Sequence, residues 1–293
     1  MSVYIDPSTG EEISASVVPK PWPTGKQHIS FSELATWMEC AYRHKLIHID
    51  KLGEFSESPH ASFGTSIHAS SEIFLNTRIM DKEPAFKIIR DTWARNPSFI
   101  EGPFPDWSAE GFGTVDDWIK MADRILDEIP AFIEKHFPGW KCKGAEENLY
   151  ESIDGQNIKF KGIVDGIIEF IDKRGKTVYW IIDWKTCGWG WRVDQKRDFK
   201  KQLQLILYKH FWCKKHGVPL KDVRCAFGLL KRDGKPGKSI ERLPVSVGPT
   251  TEAKGLKVIN NHISAVKRGF FLKNREACRF CEFAETAHCP QSM

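Results

Sequence analysis

Apolar positions along the chain fall into blocks of different period. From Phe31 they recur at helical spacing through Leu34, Trp37, Met38, Ala41 and Tyr42, with Ser30 or Ser32 placed to cap the first turn. A second helix is predicted to start near Phe63-Gly64-Thr65 and to carry Ile67, His68, Ser71, Ile73, Phe74 and Leu75. Residues 81–140 read as mostly helical, with Trp118, Met121, Ile125, Leu126, Ile129 and Phe132 on one stripe and a Pro/Gly-rich interruption from Asn96 to Gly113. After Gly144 the period shortens. Strands are predicted at about 145–153, 157–170 and 177–186, with Asp154-Gly155 as a hairpin turn and Asp172 to Gly175 as the next turn. A helix carrying Leu203, Leu205, Ile206, Leu207, Tyr208 and Phe211 follows, then strands at 222–232 and 238–247, and a last helix from Pro249 to about Arg268.

This order of helices, three-strand meander, helix, two strands and helix predicts an α+β or mixed α/β core. The expected layout is an extended leader at 1–28, where Pro19, Pro21 and Pro23 break any helix, N-terminal helices at 29–80, a helical insertion at 81–142, the sheet-bearing core at 143–270 and a cysteine-bearing tail at 271–293. Composition adds exclusions. A chain of 293 residues with 41% apolar and 28% charged residues is that of a folded globular protein. No apolar run is long enough to span a bilayer. The polar first residues do not resemble a signal peptide, so a cytoplasmic address is expected and a secreted disulfide framework from the eight cysteines is not. No GxGxxG or GxxxxGK[ST] occurs, which argues against a dinucleotide site or an ATP motor.

Candidate chemistry sits in two strands, Gly162-Ile163-Val164-Asp165-Gly166 and Ile181-Ile182-Asp183-Trp184-Lys185-Thr186. Asp183 and Lys185 are two apart and so share a face of their strand. In a meander, Asp165 on the neighbouring strand could lie across from Asp183. Two adjacent carboxylates repel unless a positive charge stands between them, and oxygen ligands favour Mg²⁺ or Mn²⁺ for that charge. Gln204 and Tyr208 are one helical turn apart and can face the same site.

These residues, in this order, resemble the RecB-type branch of the PD-(D/E)XK nuclease superfamily. The resemblance runs from about residue 29 to 290, least closely at 81–140, and rests on Ser30-Phe31-Ser32 with Cys40 behind it, Gly64-Thr65 before His68, Gly162 to Asp165, Asp183-Trp184-Lys185-Thr186, Gln204 to Tyr208 and a terminal cysteine group. It implies a restriction-endonuclease-like core with a central mixed sheet flanked by helices. It also implies a metal-dependent DNA nuclease, expected to be an exonuclease of recombination, repair or DNA processing. The alternatives are a structure-specific or single-strand endonuclease and a non-catalytic DNA-binding subunit with a structural cluster. In that reading His68, Asp165 and Asp183 ligate the metal, Lys185 orients or activates the attacking water, and Gln204 and Tyr208 position the lysine or touch the DNA backbone. Glu72, one turn after His68, could orient its imidazole. The family's glutamate on the preceding strand falls at Glu146 or Glu147, and aligning Ile153-Asp154-Gly155 as the hairpin favours Glu146.

Cys278-Arg279-Phe280-Cys281 and Cys289-Pro290 resemble the carboxy-terminal ligands of iron–sulfur members of that branch, such as AddB and the CRISPR adaptation nucleases, with Cys40 as the distant fourth. The gap before Cys289 is longer than the family's usual one. Four thiolates suit a four-iron cluster or tetrahedral zinc, and His44 and His288 could substitute in a zinc site. Charge points toward a polyanion. Residues 195–238 hold thirteen basic against three acidic side chains, while the rest of the chain is net negative. Lys196, Arg197, Lys200 and Lys201 are the expected DNA contacts, and Trp184, Trp189 and Trp191 either stack on unpaired bases or pack against the helical insertion. The expected partners are DNA and, in the absence of a motor, a recombination, annealing or helicase protein.

Overall fold

The computed structural model describes residues 4–5, 12–13, 22–54, 57–96 and 114–290. Most of the expected leader and the 96–113 interruption lie outside these. A short antiparallel pair, β1 (Tyr4–Ile5) with β2 (Glu12–Ile13), falls within the leader. Strand β3 (His28–Ser30) leads straight into α1 (Phe31–Glu39), and the Ser30 hydroxyl accepts the Glu33 N–H at 3.3 Å to cap it. Helix α2 (Ala41–His44) runs on into a π-helical turn at Lys45–Ile49. Helix α3 (Pro59–Thr77) starts four residues before Phe63, because Ser58 caps it and Pro59 suits the first helical position. Helices α4 (Glu83–Arg95) and α5 (Val115–His136) complete the N-terminal half.

Next come β4 (Lys141–Ser152), β5 (Lys159–Ile171) and β6 (Thr177–Cys187), the expected meander. The short α6 (Val193–Arg197) and the long α7 (Phe199–His216) cross over to β7 (Val223–Lys231), which runs parallel to β6. β8 (Ile240–Val245) and α8 (Pro249–Lys267) close the order. The sheet is mixed, in the sequence β3-β5-β6-β7-β8 with β4 on the other edge of β5. One face is covered by α3, α4 and α5, whose Ile67, Trp93, Trp118 and Ile129 pack on Ile168, Trp180 and Ile182. The other is covered by α1, α7 and α8 through Leu34, Leu203, Leu207, Phe211 and Ile259. This is a mixed α/β fold of the restriction-endonuclease-like kind. Among the described residues no helix is long and apolar enough to cross a membrane.

One feature of the topology makes room for chemistry. β4 pairs with β5 from Lys159 to Glu169, so β3 and β6 share the opposite edge. β3 occupies it at Lys159–Lys161 and β6 only from Gly166 onward. The edge between them, residues 162–165, has no strand partner there, and it is the Gly162-to-Asp165 segment.

Candidate active site

The β5–β6 ladder ends at the pair Gly166–Ile182, one residue short of Asp165 and Asp183. At that point a side chain takes over from the ladder: the Trp184 N–H donates to Asp165 Oδ2 at 2.7 Å. Asp183 is fully buried, and neither of its oxygens has a hydrogen bond of good geometry, although the Lys185 ammonium lies 2.7 Å from Oδ2. The shared strand face expected for Asp183 and Lys185 thus brings their charges together.

His68 reaches the same place from α3. Its Nε2 lies 3.2 Å from the Trp184 carbonyl oxygen, and its Nδ1 lies 3.5 Å from Glu146 Oε1 and 3.6 Å from Asp165 Oδ1. Both nitrogens are therefore engaged, and neither is held by Glu72, which only lines the cleft. The orienting group is a backbone carbonyl. When the ring is neutral, with Nε2–H donating to that oxygen, Nδ1 would turn a lone pair toward the two carboxylates.

Glu146 falls between the β4–β5 pairs Ala145–Gly166 and Glu147–Val164, level with Asp165. It adopts a left-handed backbone with φ of 47°, unusual for a residue other than glycine and often retained where function requires it. Glu147 turns the other way and accepts from Trp212 Nε1 at 3.0 Å and Lys215 Nζ at 2.7 Å, both on α7. The structure thus separates the two glutamates. His68, Glu146 and Asp165 offer ligand atoms within 4.8 Å of one another, while Asp183 stands beside this trio and outside it.

The electrostatics are those of a site short of positive charge. Burial and the Asp183 charge push Asp165 up to about 7. Against burial, which lowers it, the Glu146 hydrogen bond and the Asp165 and Asp183 charges carry His68 up to about 9. Lys185 is raised by Asp183 and Asp165, again against burial. His68, Glu146 and Asp165 could hold a divalent ion, which would displace the His68 proton and neutralise the carboxylates, Asp183 beside them included.

Gln204 and Tyr208, both buried on α7, are joined by Gln204 Nε2 donating to the Tyr208 hydroxyl at 3.0 Å. The Tyr208 ring also lies against Gly162, at the start of the unpartnered stretch of β5. Burial and the nearby Asp183 raise its phenol. The side chains of His60, Thr65, His68, Glu72, Glu146 and Lys185 open onto a cleft of about 610 Å³.

The expected DNA contacts lie on α6 and the start of α7. Lys196 pairs with Glu241, Lys200 with Glu39 at 2.6 Å, and Lys201 stands over the Trp191 ring at 5.0 Å, while Arg197 ends α6. Of the three tryptophans, Trp184 is core: it is buried against Phe132 and so close to Gly228 that a β-carbon there would collide with its ring. It has no face to offer a base. Trp191 packs on Phe227, and Trp189 is 79% exposed.

Cys40, Cys278, Cys281 and Cys289 line one pocket between α1–α2 and the tail. The tail is held there by Asn274 Nδ2 donating to the Glu39 carbonyl at 2.8 Å and by a forked Arg43–Glu282 pair. The Asn274 N–H lies 3.4 Å from Cys40 Sγ. The quartet is not among the groups of described residues whose ligand atoms approach within 4.8 Å. Tetrahedral zinc with sulfur at about 2.3 Å would hold sulfurs about 3.8 Å apart. His44 turns away to Glu33, and His288 gives its carbonyl to the Tyr42 hydroxyl at 3.2 Å. Cys187, Cys213 and Cys225 pack with the sheet and α7 core, and Cys142 packs beside α3.

A family model for the PD-(D/E)XK nuclease superfamily matches residues 28–289. Among solved structures, a protein from Eubacterium rectale described as "Putative exonuclease" superposes with a TM-score of 0.56 at 14% identity, covering 94% of this chain and 93% of that one. The crystal structure of SSO0001 aligns with a TM-score of 0.33 at 14% identity over 86% of this chain and 95% of that one, too low to carry an argument. No curated protein matches the chain.

Proposed function

The chain belongs to the PD-(D/E)XK nuclease superfamily, and on that premise we propose that it is a Mg²⁺- or Mn²⁺-dependent deoxyribonuclease that degrades DNA from its ends. The observation that carries the metal site is the Nδ1 edge of His68 facing Glu146 and Asp165, with Nε2 fixed on the Trp184 carbonyl. His68, Glu146 and Asp165 hold the ion, with Asp183 beside them. The ion supplies charge neutralisation at the scissile phosphate and a more acidic water.

The chain's own residues do the rest. Lys185, held at 2.7 Å from Asp183, presents its ammonium to the cleft, where it orients the attacking water and offsets the negative charge that develops on the phosphate oxygens. Asp183 keeps that ammonium in place. Tyr208 and Gln204 brace the unpartnered stretch of β5 that ends in Asp165. Exposed Trp189 and the basic side chains of α6 and early α7 are the surfaces for the strand. The cysteine pocket is proposed to hold a [4Fe–4S] cluster that fastens the tail to α1 and α2 without entering the chemistry.

The test incubates end-labelled linear DNA and closed circular DNA, single- and double-stranded, with Mg²⁺ or Mn²⁺. The proposal expects metal-dependent loss of linear DNA with circles spared. Nicking of closed circles at the linear rate would favour a structure-specific or single-strand endonuclease built on the same site. No cleavage of any substrate would favour a non-catalytic DNA-binding subunit.

A further inference from the structure

A second group of ligand-type side chains lies away from the cleft, in the layer formed by α1, α2 and α8. Glu33, His44 and His262 are 1%, 0% and 0% exposed. Their atoms converge on one point: His44 Nε2 is 3.2 Å from Glu33 Oε1, His262 Nε2 is 3.2 Å from His44 Nε2, and His262 Nε2 is 3.7 Å from Glu33 Oε1. These are the edges of a triangle with two imidazole nitrogens and one carboxylate oxygen at its corners. Ligands at about 2.0–2.1 Å from a tetrahedral ion stand about 3.3 Å apart, so the triangle has the size of a coordination face.

The chemistry of the pocket asks for a cation. Among the described residues no lysine or arginine stands against the buried Glu33 carboxylate, and its second oxygen, Oε2, has no partner. A buried carboxylate without a counter-charge is costly. Two imidazole nitrogens face that carboxylate, and neutral imidazole is the form that ligates a metal. Among the described residues the Nδ1 atoms of both rings have no partner, and Nε2 is the engaged nitrogen of each. The surroundings are dry and aromatic, with Trp37 edge-on to His262 at 5.4 Å and Trp22 at 6.1 Å.

We propose that Glu33, His44 and His262 bind one divalent transition-metal ion, zinc by its ligand set, at a structural site distinct from the nuclease centre and from the cysteine pocket. Two imidazoles and a carboxylate suit zinc, and Glu33 Oε2 is free to complete the coordination. The ion joins α1, α2 and α8, so it pins the N-terminal helices to the last helix of the chain. His44 lies one turn beyond Cys40, which puts this fastening next to the one proposed for the tail, with different ligands. The inference does not depend on the nuclease reading.

The test measures metal content and zinc-edge X-ray absorption of the full-length protein purified anaerobically. About one zinc per chain is expected, with a nitrogen/oxygen shell at about 2.0–2.1 Å, imidazole scattering and no sulfur shell at about 2.3 Å. His262→Ala and Glu33→Gln should each lose the zinc, keep any iron and melt at a lower temperature. Asp165→Asn should keep the zinc, which separates this site from the nuclease centre. If the first two variants do not fold, the wild-type absorption spectrum and the Asp165→Asn content decide. A sulfur shell, loss of zinc in Asp165→Asn, or wild-type protein that takes up no Zn²⁺ after chelation and equimolar addition would each overturn the proposal.

Discussion

Tyr208 lies against the backbone of Gly162 so closely that a β-carbon at residue 162 would fall 2.7 Å from Tyr208 Cε1. This gives the first residue of the Gly162-to-Asp165 segment a physical reason. The strand has no strand partner on this edge, and the aromatic ring of α7 packs over its face at this glycine, with its hydroxyl accepting from Gln204. Gly162→Ala should therefore displace the Tyr208 ring and shift Asp165. We expect kcat to fall at least tenfold with the fold retained, and Tyr208→Phe to cost less because it keeps the ring and loses only the hydroxyl. Single-turnover rates with circular dichroism on both variants check this, and an unchanged Gly162→Ala rate would show that the contact is slack.

Asp183→Ala and Lys185→Ala should both abolish useful cleavage for different reasons. Removing Asp183 takes away a carboxylate beside the metal trio and leaves the Lys185 ammonium unheld, so metal affinity should fall. Removing Lys185 leaves His68, Glu146 and Asp165 untouched, so metal and DNA binding should persist while the chemical step slows by roughly 10²–10³. Calorimetric Mn²⁺ titration beside cleavage rates separates the two. Full activity in either variant would place the chemistry elsewhere.

The contrast between Glu146 and Glu147 shows what the residue pattern could carry. The meander, the shared face of Asp183 and Lys185 and the α7 stripe follow from periodicity, because burial alternates with the strand and helix repeats. The choice between the two glutamates hung on one residue of register, which a bulge at Cys142/Gly144 shifts and which pairing with β5 fixes. Strand β3 is three residues long and takes its identity from Lys159–Lys161, far along the chain. The orienting partner of His68 is a main-chain oxygen, which no residue type announces, whereas helical spacing points to Glu72. Trp184 looked available beside the catalytic segment, but strand alternation sends it into the α3–α5 core. Glu33, His44 and His262 come from three helices and share no spacing at all.

The cysteine pocket predicts a loss of stability ahead of a loss of chemistry. The four thiols join the first helices to the tail, and a link across so long a loop restricts the unfolded chain by several kcal/mol, on the order of a long-loop disulfide. Anaerobic protein should be brown with about four irons per chain. Cys40→Ser or Cys281→Ser should lose colour and solubility and lower the melting temperature, while any soluble fraction keeps its metal-dependent cleavage. Colourless protein with zinc bound through sulfur would replace the iron–sulfur assignment.

Acid should destabilise the metal-free protein. Burial pushes His48 and His60 down to about 4, the latter helped by Arg232, and pushes His262 down to about 3, all from an ordinary 6.5. Between those values and 6.5 the unfolded chain binds protons on these rings that the folded protein refuses, so stability falls as the pH falls. Asp165 acts in the opposite sense. Raised by burial and Asp183 from 3.8 to about 7, it holds a proton in the fold that the unfolded chain has released, and so favours the fold as the pH falls across that range. Three imidazoles oppose one carboxyl, so the net slope in the window from about 4 to 6.5 follows the imidazoles. His68 contributes on the alkaline side: raised to about 9, it adds stability that is fully present below 6.5 and lost as the pH rises through 9. The urea midpoint in EDTA should therefore be highest near neutrality, lower at a pH of about 4.5 and lower again above about 9. A midpoint that rises on acidification from neutrality would mean that these histidines are open to protons in the folded protein.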